Sequence, residues 1–220
     1  MSPGLPQKWA KPQLAEIAEI NPRHPTTLDD SMPVSFVRMA ALSGSKPAFD
    51  SLEVRTLGEI RKGFTHFAEG DVLFAKITPC MENGKGAVAT GLQSGIGCGT
   101  TELHFIRPHG GISPHYVYRF LAQPSVRRSA KENFTGTAGQ ARVPTGFIEE
   151  LEIPLAPLAE QRRYGEAGKV VGAGGHLPTA VGQNPETAQT LSSIHPLRRL
   201  LRPPHRRLAG GKLHRQEREQ

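Results

Sequence analysis

Apolar positions along the chain fall into short runs separated by turn-forming residues. Val72-Leu73-Phe74-Ala75 and Leu103-His104-Phe105-Ile106 have strand length, and the residues between them are rich in Gly, Thr, Asn and Lys. Such a pattern predicts two strands that present a polar working loop. Gly70-Asp71 signals a turn before the first strand. Pro79, which lacks an N–H, keeps Lys76-Ile77-Thr78 from continuing as a central strand, so the loop begins near Thr78. Gly84, Gly86, Gly91, Gly95, Gly97 and Gly99 follow, interleaved with Asn83, Lys85, Thr100 and Thr101. Glycines without side chains let backbone N–H groups, hydroxyls and ammonium groups come close to an extended anionic partner.

Around this stretch the same reasoning predicts further elements. Leu14, Ile17, Ala18 and Ile20 follow helical spacing behind Trp9, and Asn21-Pro22 stops them. Residues 34–42 read as a strand followed by a loop at 43–47. In residues 52–62, Val54, Leu57 and Ile60 fit a helix better than a strand. Ser113-Pro114 starts a helix whose buried stripe is Tyr116, Val117, Phe120 and Leu121, with Pro at the first position. A second short helix follows Pro124, burying Val126 and Ala130 and carrying Arg127, Arg128 and Lys131 on its other face. Residues 147–154 read as a short helix or turn leading into a strand. The fold class is therefore mixed α/β, a single domain with a twisted sheet, short helices and long Gly-rich loops.

Length and charge narrow the picture. The chain has 220 residues, 24 of them Gly and 19 Pro, enough for one ordinary domain plus an appendage. Net charge is +7, which invites a nucleic-acid reading. Residues 1–163 hold 18 basic and 16 acidic side chains, whereas residues 164–220 hold 9 and 4, so most of the excess sits in the tail. The N-terminus MSPGLPQKWAKP has no apolar signal-peptide core, and no apolar run approaches the roughly 20 residues of a membrane helix. A reducing, cytoplasmic setting with Cys80 and Cys98 as thiols is the expectation.

GDVLFAKITPCMENGKGA (70–87), GTTELHFIRP (99–108), GTAGQARVP (136–144) and IPLAPLAEQRR (153–163) closely resemble, in order and spacing, a target-recognition domain of type I restriction-modification specificity subunits. The resemblance covers most of residues 6–163. It implies a non-catalytic module, roughly residues 5–160, that reads one half of a split double-stranded DNA target. It also implies partners: a methyltransferase subunit and, through it, a restriction subunit. No cofactor is implied. The alternative is a DNA-binding or protein-interaction module unconnected with restriction.

On that reading Lys76, Lys85, Arg127, Arg128 and Arg142 would supply phosphate contacts. Thr78, Asn83, Thr100, Thr101 and Gln140 would touch base edges or hold the loops. Gln140 and Arg142 can each offer a two-pronged hydrogen-bonding group to a purine edge, or equally can order their own loop by bonding neighbouring carbonyls. Arg127, Arg128 and Lys131 equally fit a solvated helix face. Other chemistry fits less well. A nucleophilic Cys80 with His104 or His66 has nothing to orient it. Cys80, Cys98 and His104 match no structural zinc spacing. Gly84-Lys85 is followed by Gly86 where a phosphate-binding P-loop needs Ser or Thr.

The character changes after Arg163. Residues 164–220 contain eight glycines and five prolines, and no periodicity survives, which reads as a disordered basic tail. The resemblance implies instead that residues 155–163 begin a long spacer helix, with Pro157 in its first turn. Residues 166–211, recoded one base out of frame with synonymous codons chosen freely, yield a string that resembles the family's central helix. The expectation is a frameshift between about residues 163 and 166, with residues 161–220 holding the lost start of that helix and an out-of-frame tail.

Overall fold

A computed structural model of the protein describes residues 8–23, 27–137 and 139–166, which fall within one compact unit. The expectations for a disordered or out-of-frame tail lie outside the described residues. The chain runs α1 (Leu14–Ile17), β1 (Ala18–Ile20), β2 (Pro33–Val37), β3 (Glu53–Thr56), α2 (Leu57–Ile60), β4 (Thr65–Ala68) and β5 (Val72–Ala75). It continues through β6 (Gly86–Val88), β7 (Ile96–Gly99), β8 (Leu103–Pro108), α3 (Pro114–Leu121), α4 (Pro124–Glu132), α5 (Thr145–Glu149) and α6 (Leu158–Glu166). The mixed α/β class is as expected, and the strands divide between two four-stranded sheets, β1-β8-β5-β6 and β3-β2-β7-β4.

The first sheet is antiparallel throughout, with β5 central between β8 and β6. All four β5 residues are buried, as a strand covered on both faces requires. Its core is shared with α3, whose Tyr116, Val117, Phe120 and Leu121 are buried as the helical stripe predicts. In the second sheet β2 pairs parallel with β7, and the outer pairs are antiparallel. Phe67 of β4 joins the two sheets: it is fully buried and stacks on Phe105 of β8 with ring centroids 5.2 Å apart. The outer face of the second sheet carries a smaller core of Val34, Phe36, Leu57, Ile60 and Cys98.

Several sequence expectations change. The opening helix is one turn long; a capping box between Gln13 and Glu16 starts it, and the chain is extended again at Ala18 to pair with β8. Asn21 ends β1 in the left-handed region at φ 51°, and its side chain accepts from the Phe105 N–H. Residues 53–60 are a strand and then a helical turn: Leu57 and Ile60 are core, but Val54, on an edge strand, is 61% exposed. The Gly-rich stretch is also only partly loop, because residues 86–88 and 96–99 are strands. Glycines there serve close packing. A Cβ on Gly86 would stand 2.6 Å from the Leu73 carbonyl oxygen, and one on Gly97 2.2 Å from the Phe67 ring.

Residues 152 and 155 form isolated bridges with Gln13 and Ala10 in place of a full strand, tying the two ends of the described chain together. Pro157 precedes α6, and its carbonyl accepts from the N–H groups of Glu160 and Gln161. Gln161 is buried and accepts from the Ser113 N–H, which holds α6 at the start of α3. Tyr164 stands edge-on to both Trp9 and Tyr116, and Trp9 Nε1 donates to Glu160. Among the described residues no helix is long and apolar enough to cross a membrane.

Candidate functional site

The paired ends of β5 and β8 are where the predicted residues collect. Ala75 faces Leu103 across the ladder, and the pairing continues one step outward as Lys76 N–H donates to the Glu102 carbonyl at 3.0 Å. Three segments spring from this point. One is the loop 76–85 leaving β5, another the turn 100–102 entering β8. The third is a hairpin around 135–142, joined to the first by an Ile77–Arg142 bridge and by Thr78 N–H donating to the Ala141 carbonyl at 3.1 Å.

The loop 76–85 is a compact knot. Met81 is completely buried and anchors it, while the N–H groups of Met81, Asn83, Gly84 and Lys85 donate to carbonyls of residues 77, 79, 81 and 80. The Thr78–Pro79 peptide is cis. Close backbone contacts fix the loop on two sides. A Cβ on Gly44 would lie 2.2 Å from the Asn83 carbonyl oxygen, and one on Gly84 would lie 1.9 Å from an Arg127 guanidinium nitrogen. Side chains of helix α4 therefore reach this loop at two points, Arg127 at Gly84 and Lys131 at Glu82, the latter 2.5 Å away.

Most of the predicted site residues converge here, but in different conditions. Asn83, Thr101, Arg128 and Gln140 are exposed, and Lys76 and Arg127 are half-buried. None of these six makes a side-chain hydrogen bond among the described residues. Thr78 donates its hydroxyl to Glu82 at 2.5 Å, and Thr100 accepts from the Glu102 N–H at 3.2 Å. Lys85 turns away from solvent and donates to the carbonyls of Met39 and Leu42 at 3.1 and 3.2 Å. Arg142 sets both prongs of its guanidinium on Glu102, at 2.7 and 2.9 Å, and its remaining Nη1 on the Gln140 carbonyl at 2.8 Å.

Sequence reasoning passed over Glu82 and Glu102, two carboxylates inside a cationic surface. Hydrogen bonds from Arg142 hold the Glu102 carboxyl below its ordinary pKa, and those from Lys131 and Thr78 do the same for Glu82. The signal for each was a lone acid in a stretch otherwise rich in Lys, Thr, Asn and Gly. Both stay ionised, so they offset part of the positive charge and fix the geometry of the rest.

Beneath the hairpin, His104 is buried and both ring nitrogens are engaged: Nε2 donates to the Val143 carbonyl at 2.8 Å, and Nδ1 accepts from Asn21 Nδ2 at 3.2 Å. Burial, more than the nearby Lys76 charge, pushes its pKa down to about 4. An imidazole so occupied has no nitrogen left for a Cys80 nucleophile. Cys98 belongs to the outer core, where burial raises its thiol to about 11. Among the described residues no group of three or more His, Cys, Asp or Glu is placed to hold a metal ion.

No protein-family model matches the chain. Two curated proteins of Escherichia coli do: the chain is 43% identical over 160 residues to the specificity subunit of type I restriction enzyme EcoAI, and 42% identical over 160 residues to that of EcoEI. Each alignment takes in 72% of this chain and 27% of the relative, so the chain spans about a quarter of the relatives' length. Among solved structures, the HsdS subunit from Thermoanaerobacter tengcongensis shares the fold with a TM-score of 0.58 at 22% identity, covering 74% of this chain and 41% of that one. A structure described as addressing complex assembly and conformational transition of the type I R-M system gives a TM-score of 0.55 at 22% identity, over 73% of this chain and 41% of that one. Sequence and fold together make this chain a homologue of the specificity subunits of type I restriction enzymes, matched over one portion of their length.

Proposed function

We propose that residues 5–160 are a target-recognition domain that reads one half of a split double-stranded DNA target, and that it breaks no bond itself. The observation that carries this reading is the convergence of the loop 76–85, the turn 100–102, the hairpin 135–142 and helix α4 on one end of the first sheet. Lys76, Arg127 and Arg128 supply cationic groups for phosphates. Asn83, Thr101 and Gln140 are exposed polar side chains that can reach base edges in a groove. Thr78, Lys85, Thr100 and Arg142, which bond within the fold, hold the loops that present them.

A methyltransferase subunit and, through it, a restriction subunit would take their address from this domain, in the cytoplasm where the DNA is. Residues 161–220 are the start of a spacer helix followed by an out-of-frame product, which the nucleotide sequence of the gene beyond codon 155 tests directly. The DNA reading is tested by incubating the full chain with a library of duplexes of randomised core. Enrichment of one short sequence, with affinity falling steeply as salt rises, is the expected result. No enrichment, and no duplex binding even at low salt, overturns it.

A further inference from the structure

Arg142 is the residue whose geometry departs most from the part its chemistry suggests. A guanidinium that reads guanine or clamps a phosphate needs its two parallel N–H groups outward. Here those groups lie on the Glu102 carboxylate at 2.7 and 2.9 Å, and Nη1 lies on the Gln140 carbonyl. Glu102 is itself fixed, since its N–H donates to Thr100 and its carbonyl accepts from Lys76 N–H. The hairpin closes on the same residue, with Thr135 and Arg142 exchanging both backbone hydrogen bonds, at 2.9 and 2.8 Å. A continuous strut thus runs from the start of β8 through Glu102 and Arg142 to the main chain of Gln140. The side chain of Gln140 is left exposed at the end of it.

We infer that Glu102 is a specificity-determining positioning residue, which acts through Arg142 to hold the hairpin 135–142 and aim Gln140 at the DNA. This rests on the DNA-recognition reading above and assigns the reader's role on the hairpin to Gln140, with Arg142 as its support. A carboxylate at the edge of a DNA-binding surface repels phosphate. Its presence there is accounted for by what it orders rather than by what it attracts.

The test uses the full chain, the duplex enriched from the randomised library and a scrambled duplex, measured over a range of salt. Glu102→Ala, Arg142→Ala and the double variant are compared with the wild type. Each single change lowers the ratio of enriched to scrambled affinity on the order of tenfold, about one base pair's worth. The double variant is no worse than the weaker single, as expected for two residues acting as one unit. Arg142→Ala leaves the salt dependence as in the wild type. Glu102→Gln, which keeps one acceptor oxygen and the shape, recovers part of the ratio.

Three results overturn the inference while leaving DNA recognition standing. One is a salt slope reduced by about one in Arg142→Ala, which would place that residue on a phosphate. Another is strictly additive losses. The third is an unchanged or higher ratio in Glu102→Ala, whatever happens to its melting temperature. A wild-type chain that enriches no sequence overturns the DNA reading and the inference together.

Discussion

Gly97 of β7 stands directly opposite Phe67 of β4, and the Phe67 ring fills the space a side chain at position 97 would need. Phe67 is fully buried and stacks on Phe105 of the other sheet, so this one ring on a glycine joins the two halves of the core. Gly97→Ala would push a methyl group to 2.2 Å from the ring, and nothing in a close-packed interior yields that much. A loss of about 1–3 kcal/mol is expected from overpacking. Denaturant unfolding checks it. Combination with Phe67→Leu should recover part of the loss, and strictly additive effects would argue against the contact.

Stability should also fall on acidification because of His104. The neutral ring is buried with both nitrogens bonded, and its folded-state pKa is near 4 against an ordinary 6.5. Between those values the unfolded chain binds a proton that the folded chain refuses, so stability rises with pH over this window. The full loss, present below about pH 4, is on the order of 3 kcal/mol. His104→Gln should flatten the dependence of unfolding free energy on pH between 4 and 6.5 relative to wild type. An identical slope in the two proteins would show that this histidine is not the group responsible.

Legibility in the sequence tracked how local the cause of each element was. β5, β8, α3 and α4 could be read because short, mainly apolar runs and prolines at first helical turns act on their own segments. Residues 53–60 misled because Val54, Leu57 and Ile60 sit at helical spacing, yet Val54 is an exposed edge-strand position unrelated to the other two. The Gly-rich stretch misled for a similar reason: Gly86 and Gly97 answer to Leu73 and Phe67, partners that no inspection of residues 84–99 alone can supply. At the candidate site, residue types and location were legible. Their pairing was not, since whether Arg142 faces DNA or Glu102 depends on a contact 40 residues away in sequence.

A third prediction concerns the start of the same strand pair. Asp71 is buried beneath the two-pronged guanidinium of Arg107, at 2.7 and 2.8 Å, and also accepts from the Ala68 N–H at 2.8 Å. It therefore closes the turn into β5 and locks that turn to β8. Asp71→Ala would leave a partly buried guanidinium and a backbone N–H without their acceptor, a change that costs about 3 kcal/mol. Arg107→Lys, with one point charge in place of a fork, should lose less than this but more than a surface substitution. Equal stability of Arg107→Lys and wild type in thermal unfolding would refute the role of the fork.

Two of the three cations of α4, Arg128 and Lys131, offer a contrast that separates charge in general from charge in position. Arg128 is exposed with no ion pair among the described residues, whereas Lys131 is bound to Glu82 of the loop 76–85. Removing an unpaired surface arginine leaves folding within about 0.5 kcal/mol of wild type. If Arg128 meets a phosphate, Arg128→Ala should weaken binding to all duplexes alike and reduce the salt slope by about 0.9. Lys131→Ala instead frees the Glu82 carboxylate beside Thr78 and Asn83, so it should also disturb the loop and lower discrimination between duplexes. Measured salt slopes for the two variants decide the matter. Matching behaviour would mean that α4 contributes only net charge and that its placement at the loop carries no information for recognition.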